Sequence, residues 1–248
     1  MPDWKPSLRR FRRRLRRLIN RFGYDVRRIN SGQPGLQPEL DMRRLLEMES
    51  PLIFDIGANV GQSIELFRSE FPMCAIHAFE PSAGTFDALT ARAGDLVRVH
   101  LWNLAVGSAS GKLTLRENEI SEMTSFLSLG RSGWGQTKGT AMVDVITVDD
   151  FCERERIERI DVLKSDTQGF ELEVFRGAES MFRRGGIKLI YCEISFMDIY
   201  ENLPSPFQMI DFLADRGFEF MTFYPFHYLR GKAAWTDALF AHKTLVRD

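Results

Sequence analysis

From residue 52 onward, short apolar runs alternate with longer stretches in which apolar positions recur every three or four residues. The runs at 52–56, 74–79, 97–104, 160–165 and 187–194 predict buried strands. The segments at 61–71, 82–93, 171–184 and 205–216 predict amphipathic helices. Near the end, "FEFMTFYPF" and "DALFAHKTLV" have the pattern of a closing antiparallel pair. Together these elements predict an α/β fold: a doubly wound, mostly parallel, seven-stranded sheet with helices on both faces. The stretch 105–148 breaks the rhythm. There "GKLTLREN" and "AMVDVITVDDF" flank a Gly/Ser-rich piece at 128–139, which predicts an insertion of short extra strands and a mobile loop.

Ahead of this body the pattern is different. In "SLRRFRRRLRRLINRFGYDVRRI", Leu8, Phe11, Leu15, Leu18, Phe22, Val26 and Ile29 recur at helical spacing, with arginines filling most of the gaps. Residues 1–30 therefore predict a basic amphipathic helix with a narrow apolar stripe. The Gly/Pro/Gln-rich "NSGQPGLQPEL" that follows predicts a linker and lead-in over 31–49, before the domain at 50–248.

Charge sharpens that division. The 248 residues carry a net charge of −1, but residues 1–30 hold +9 and the remainder −10. The tail suits an anionic membrane surface, the body of the protein, or a second copy in a homodimer. No stacking platform or recognised motif accompanies the charge, so nucleic acid is not an expected partner. No apolar run approaches the length of a membrane span, and the basic start lacks the apolar core of a secretory signal. Cys74, Cys152 and Cys192 are scattered and odd in number, which is no disulfide framework. The expected location is cytoplasmic, peripheral at the inner membrane face if the tail binds lipid.

Candidate chemistry lies where predicted strands end, because ligands of open α/β sheets bind beyond the carboxyl ends of the strands. In "LIFDIGANVGQS" the first strand runs into Asp55, then Gly57, Ala58, Asn59 and Gly61, a turn with room for a ligand and free backbone N–H groups. A dinucleotide fingerprint would need glycines where the chain has Asn59 and Gln62. The second strand ends in Glu80 and Pro81, 23 residues beyond Gly57, where an acid can accept from both hydroxyls of a ribose. Asp55 is placed to meet a positive group such as an amino group. These features fit S-adenosylmethionine, an adenosine bearing a cationic amino acid. In "HLWNLAVG", Asn103 or the backbone near Leu104 and Ala105 would lie near the adenine. Lys164, buried in a strand, needs a carboxylate partner.

Five segments, "FDIGANVGQ", "FEP", "NLAVGSASG", "ITVDDF" and "LKSDTQGFELEVFRGAE", occur in an order that resembles the FkbM family of S-adenosylmethionine-dependent methyltransferases over roughly residues 50–245. The resemblance implies the class I methyltransferase fold, which is Rossmann-like, and O-methylation of hydroxyls on sugars, polyketides and similar metabolites; the expected acceptor here is a hydroxyl of a sugar, glycan, glycolipid or related secondary metabolite. It implies that Gly57, Asn59, Gly61 and Glu80 bind the cofactor and that Asp166 lies by the reacting centre. Many relatives read "DVEG" where this chain reads "DTQG", so Gln168 departs from any role a glutamate there would carry.

Methyl transfer needs a positioned acceptor oxygen and a base for its proton. Asp166 is the first candidate base, Glu193 at the end of the fifth strand the second, and His227 in "FYPFHYL" the third. No histidine lies at metal-ligand spacing from another His or Cys, and no metal is expected. The acceptor is a small molecule or glycan, with Trp134, Phe196 and Tyr200 in the loops that would meet it. The alternatives are a nicotinamide-dependent enzyme and a non-catalytic, membrane-associated scaffold.

Overall fold

The computed structural model describes residues 15–19, 21–22 and 34–246 and divides the chain into two units, Met1–Gln33 and Pro34–Asp248. In the first unit a helical stretch at 15–19 is described; the rest of the amphipathic helix expected over 1–30 lies largely outside the described residues.

The second unit is three layers. Its main sheet contains β1 (Leu52–Ile56), β2 (Ala75–Phe79), β3 (Val99–Trp102), β7 (Ile160–Ser165), β8 (Ile187–Ser195), β9 (Phe218–Phe223), β10 (His227–Leu229) and β11 (Lys232–His242). The order across it is β3, β2, β1, β7, β8, β11, with β10 and β9 both pairing β11. All neighbours from β3 to β8 are parallel, and β11 is antiparallel to its three partners. The closing position is thus shared by two short strands, giving eight strands where seven were expected.

Helices cover both faces because their apolar sides bury there. On one face α1 (Pro38–Leu46), α2 (Gln62–Glu70) and α3 (Ala83–Ala93) pack Met42, Ile64, Phe67 and Leu89 into one core. On the other, α4 (Val148–Glu155), α5 (Glu171–Arg176), α6 (Glu179–Arg183) and α7 (Pro206–Ala214) pack Phe151, Phe175, Met181 and Leu213 into a second. β4 (Ala105–Val106), β5 (Gly111–Asn118) and β6 (Thr137–Ile146) form a separate three-stranded sheet, the expected insertion. His77 is packing, as its strand pattern implies: it stacks between His100 and Trp102, and burial lowers its pKa to about 4.

Four local expectations need correction. Residues 38–46 are a helix, not a linker: Pro38 opens it, and Asp41 is buried against the Gly35 N–H and the Tyr224 hydroxyl. The end of "ITVDDFCERE" is helical too, because the Thr147 hydroxyl caps α4 by accepting from the Asp150 N–H at 2.9 Å. The helix expected over 171–184 is two, divided at Gly177, where a Cβ would sit 2.1 Å from the Gly107 carbonyl oxygen. The loop at 128–136 is packed rather than free, with Gly130 N–H bonded to Ile199 O and Leu129 bridged to Tyr200.

Candidate active site

The chain leaves β1 toward β2 on one side and returns to β7 on the other, so the carboxyl ends of these strands frame a crevice. A cavity of about 430 Å³ opens there. The turn 57–59, Glu80 and Pro81, Leu104 and Ala105 line one part. Lys164, Asp166, Gln168, Tyr191, Glu193 and Asp237 line another.

Glu80 is buried at the end of β2. Its Oε2 accepts from the Asn59 N–H at 3.1 Å and its Oε1 from the Ser82 N–H at 2.9 Å. Each oxygen keeps a lone pair, so the carboxylate can still take two vicinal hydroxyls. Burial pushes its pKa up to about 7, against the pull of those two N–H groups. Loss of these contacts in Glu80→Ala is expected to weaken S-adenosylmethionine binding by roughly 1.5–3 kcal/mol, measured by titration calorimetry on the folded variant.

The turn itself differs from expectation. Gly57 and Ala58 both donate to Phe79 O, Asn59 to Glu80, Val60 to the Asn59 side chain, and Gly61 to Ala58 O. None of these five N–H groups is left as a free donor, so the turn offers bare backbone surface rather than an anion nest. That suits a cofactor without a pyrophosphate. Gly57, Asn59 and Gly61 hold the shape with φ of 76°, 47° and 91°.

Asp55 is fully buried and does not line the cavity. Its positive partner is Lys164, whose Nζ lies 2.8 Å from Oδ1, while Ser63 donates to Oδ2 at 2.5 Å. Burial would lower the Lys164 pKa, but Asp55 and then Asp166 outweigh it and raise it. Asp55 thus anchors the cavity floor rather than gripping a ligand amine. Asn103 is likewise a support: its amide donates to Glu80 O and Pro81 O, and Leu104 and Ala105 supply the wall.

The three expected bases separate. Asp166 stands on the cavity wall, its Oδ2 3.8 Å from Lys164 Nζ and its Oδ1 accepting from Gln168 Nε2 at 2.9 Å. Glu193 lines the same wall, and burial followed by repulsion from Asp166, Glu171 and Asp237 holds its pKa well above the usual carboxylate range. That shift favours its protonated form and makes it a poorer candidate base than Asp166. His227 is exposed on β10, stacked flat on Trp235 at 4.8 Å, and is outside the cavity lining, so it is not a base here. Among the described residues, no group of three or more His, Cys, Asp or Glu is arranged to hold a metal ion.

Sequence reasoning missed Asp237 and Tyr191. The Tyr191 hydroxyl donates to Asp237 Oδ2 at 2.6 Å, and β11 pairs Asp237 opposite Glu193. Tyr191 is two residues from Glu193 and so shares its face of the strand, a signal that was available. Nothing local marks Asp237, whose place depends on antiparallel register.

Glu171 fixes the loop beneath Asp166: its Oε1 accepts from Thr167 N–H, Thr167 Oγ1 and Gly169 N–H. Burial raises its pKa from 4.5 to about 7. The folded chain therefore holds this proton more tightly than the unfolded one, and the associated stability is lost as pH rises through that interval. Glu171→Gln should flatten this part of the pH dependence, so thermal melts should show the variant gaining on the parent from acid to mildly alkaline pH.

Residues 55–220 match the family described as Methyltransferase FkbM domain. The chain belongs to the FkbM methyltransferase family. It is 25% identical over 200 residues to 2-O-methyltransferase NoeI of Sinorhizobium fredii, covering 75% of this chain and 79% of that protein. It is 26% identical over 149 residues to hexuronic acid methyltransferase AglP of Haloferax volcanii, covering 57% of each. Among solved structures, magnesium protoporphyrin IX methyltransferase of Synechocystis aligns over 92% of this chain and 95% of its own. Its TM-score of 0.45 and 11% identity are too distant to add to the assignment. S-adenosylmethionine is the cofactor of this FkbM methyltransferase. The residues fit it: Glu80 retains acceptor capacity for a ribose, the 57–61 turn makes no demand for phosphate, and the acidic wall favours a cation. Family membership decides against the nicotinamide and scaffold alternatives.

Proposed function

We propose that this methyltransferase modifies a hydroxyl of a sugar, glycan, glycolipid or related metabolite, with Asp166 as the base. The observation that carries this reading is the position of Asp166. It follows β7, directly against the cofactor turn: its N–H bonds to Ile56 O, and its carbonyl oxygen packs on Gly57. S-adenosylmethionine supplies an electrophilic methyl group on a good leaving group. What the chain adds is position and a proton acceptor. Glu80 and the glycine turn would hold the nucleoside end, Lys164 balances the charge on the floor, and Asp166 Oδ2 would take the hydroxyl proton as the acceptor oxygen is methylated.

The acceptor class favoured is a sugar, and it rests on the relatives. Trp134, Phe196 and Tyr200 are outside the cavity lining: Trp134 packs on Trp235 with ring centroids 5.7 Å apart, Phe196 packs on Phe226, and Tyr200 is buried. The activities named for the relatives, 2-O-methylation and hexuronic acid methylation, agree with that class. Incubation with S-adenosylmethionine and a panel of neutral hexosides, deoxyhexosides and hexuronosides should give a product one methyl heavier by mass spectrometry. Methylation confined to nitrogen or carbon nucleophiles would refute the reading.

For residues 1–30 we propose attachment to an anionic phospholipid surface, on the charge pattern alone. Each basic residue near such a surface contributes about 1 kcal/mol, and the acidic body would be repelled. Deleting 1–30 should abolish co-sedimentation with anionic liposomes and leave cofactor binding intact; full-length protein that ignores such liposomes at low salt would overturn it.

A further inference from the structure

Gln168 is held in the left-handed region, with φ of 55°, and its side chain bridges two groups. Its Nε2 donates to Asp166 Oδ1 at 2.9 Å, and its Oε1 accepts from the Tyr200 hydroxyl at 2.9 Å. The backbone is tied as well, with Gln168 O accepting from Ser125 Oγ at 2.7 Å.

The Tyr200 hydroxyl decides which way the amide faces. Tyr200 is buried among Met123, Ile199, Leu127 and Leu203. Burial, together with Glu193, Glu171 and Asp166, raises its pKa, so the phenol stays protonated and donates. Its other polar neighbour is the Met123 thioether at 3.7 Å, a weak acceptor. The amide oxygen must therefore face Tyr200, and the NH₂ must face Asp166.

Gln168 is the neutral donor that Asp166 has among acidic neighbours. The charged and titratable groups acting on Asp166 are Lys164 on β7, Glu171 on α5, Tyr191 and Glu193 on β8, Tyr200 in the loop after β8, and Asp237 on β11. Only Lys164 among them is a cation, and it is already bonded to Asp55 and to Gly57 O.

We propose that Gln168 is a positioning residue for the base: its amide, oriented by Tyr200, fixes the Asp166 carboxylate through Oδ1 and leaves Oδ2 to take the acceptor's proton. This rests on Asp166 as the base and adds how its charge and aim are kept. The contact also joins the loops carrying Ser125 and Tyr200 to the reacting centre, so a disturbance there reaches Asp166 through one amide. A glutamate at this position would place a second carboxyl against Asp166 in a neighbourhood already rich in acids.

The test needs no acceptor. Full-length protein labelled with ¹³C at aspartate carboxyl carbons is titrated by NMR, and the Asp166 signal is assigned by its loss in Asp166→Asn. In Gln168→Glu the Asp166 midpoint should rise by at least about one pH unit relative to the parent, through like-charge repulsion. Gln168→Leu and Tyr200→Phe should raise it less, the first by removing the donor and the second by releasing the amide. Midpoints in Gln168→Glu and Gln168→Leu that coincide with the parent's would overturn the proposal. The base assignment is judged separately: parent-like turnover in Asp166→Asn would refute it without altering these carboxyl titrations.

Discussion

Asp166→Asn is expected to lower kcat by roughly 10²–10⁴-fold, the usual contribution of a positioned general base. Cofactor affinity should be nearly unchanged. The replacement is isosteric, and an asparagine oxygen can still accept from Gln168, so the 166–169 turn keeps its shape. What is lost is the proton acceptor. Glu193 is a poorer stand-in, because burial, with Glu171 and Asp237 still beside it, favours its protonated form. His227 cannot stand in, since its ring lies on Trp235 outside the cavity lining. Steady-state kinetics with the acceptor found in the glycoside screen, beside calorimetry with S-adenosylmethionine, reads both halves of the prediction.

Gly57→Ala should cost the fold itself. Gly57 has φ of 76°, which strains any residue with a Cβ, and that Cβ would lie 1.9 Å from the Asp166 carbonyl oxygen. The obstacle is backbone, so no rotamer change relieves it. Strain and overpacking together should destabilise the chain by about 3 kcal/mol or more, a large share of the stability of a typical domain. If the variant folds by moving the two turns apart, Asp166 and the cofactor turn lose their alignment. Cofactor affinity and turnover should then fall together, which distinguishes this variant from Asp166→Asn. Thermal melts and calorimetry on the same preparation measure both effects.

Much of this was legible in the order of residues. Short continuous apolar runs mark the parallel strands, which are buried on both faces, and period-3.6 patterning marks most helices, which bury one face against the sheet. Glu80, Asp166 and Glu193 could be placed at the crevice because strand ends must meet there, whereas Asp55 is buried beneath it. What stayed hidden depends on long-range register or on side-chain partners. Asp237 reaches the cavity through antiparallel pairing of β11 with β8, more than 40 positions apart, for which no local signal exists. Lys164 announced its need for a carboxylate, yet both it and Asp166 were within reach of other acids, and only the fold selects Asp55. The helix at 148–155 was obscured because its cap, Thr147, ends a run of strand-like residues. Asn103 looked like a ligand contact because a turn asparagine at a strand end has two readings, and here its amide is spent on the Glu80–Pro81 backbone.

The central claim is that Asp166 removes a hydroxyl proton while the neighbouring turn and Glu80 hold the methyl donor. The most direct test is a methyl-transfer assay of parent and Asp166→Asn proteins, both saturated with S-adenosylmethionine, against the glycoside panel with product linkage read by tandem mass spectrometry. The account predicts a new O-methyl group on a sugar hydroxyl with the parent protein and almost none with Asp166→Asn, although the variant binds the cofactor as well as the parent does. An N- or C-methylated product, or O-methylation by Asp166→Asn at the parent rate, would contradict it.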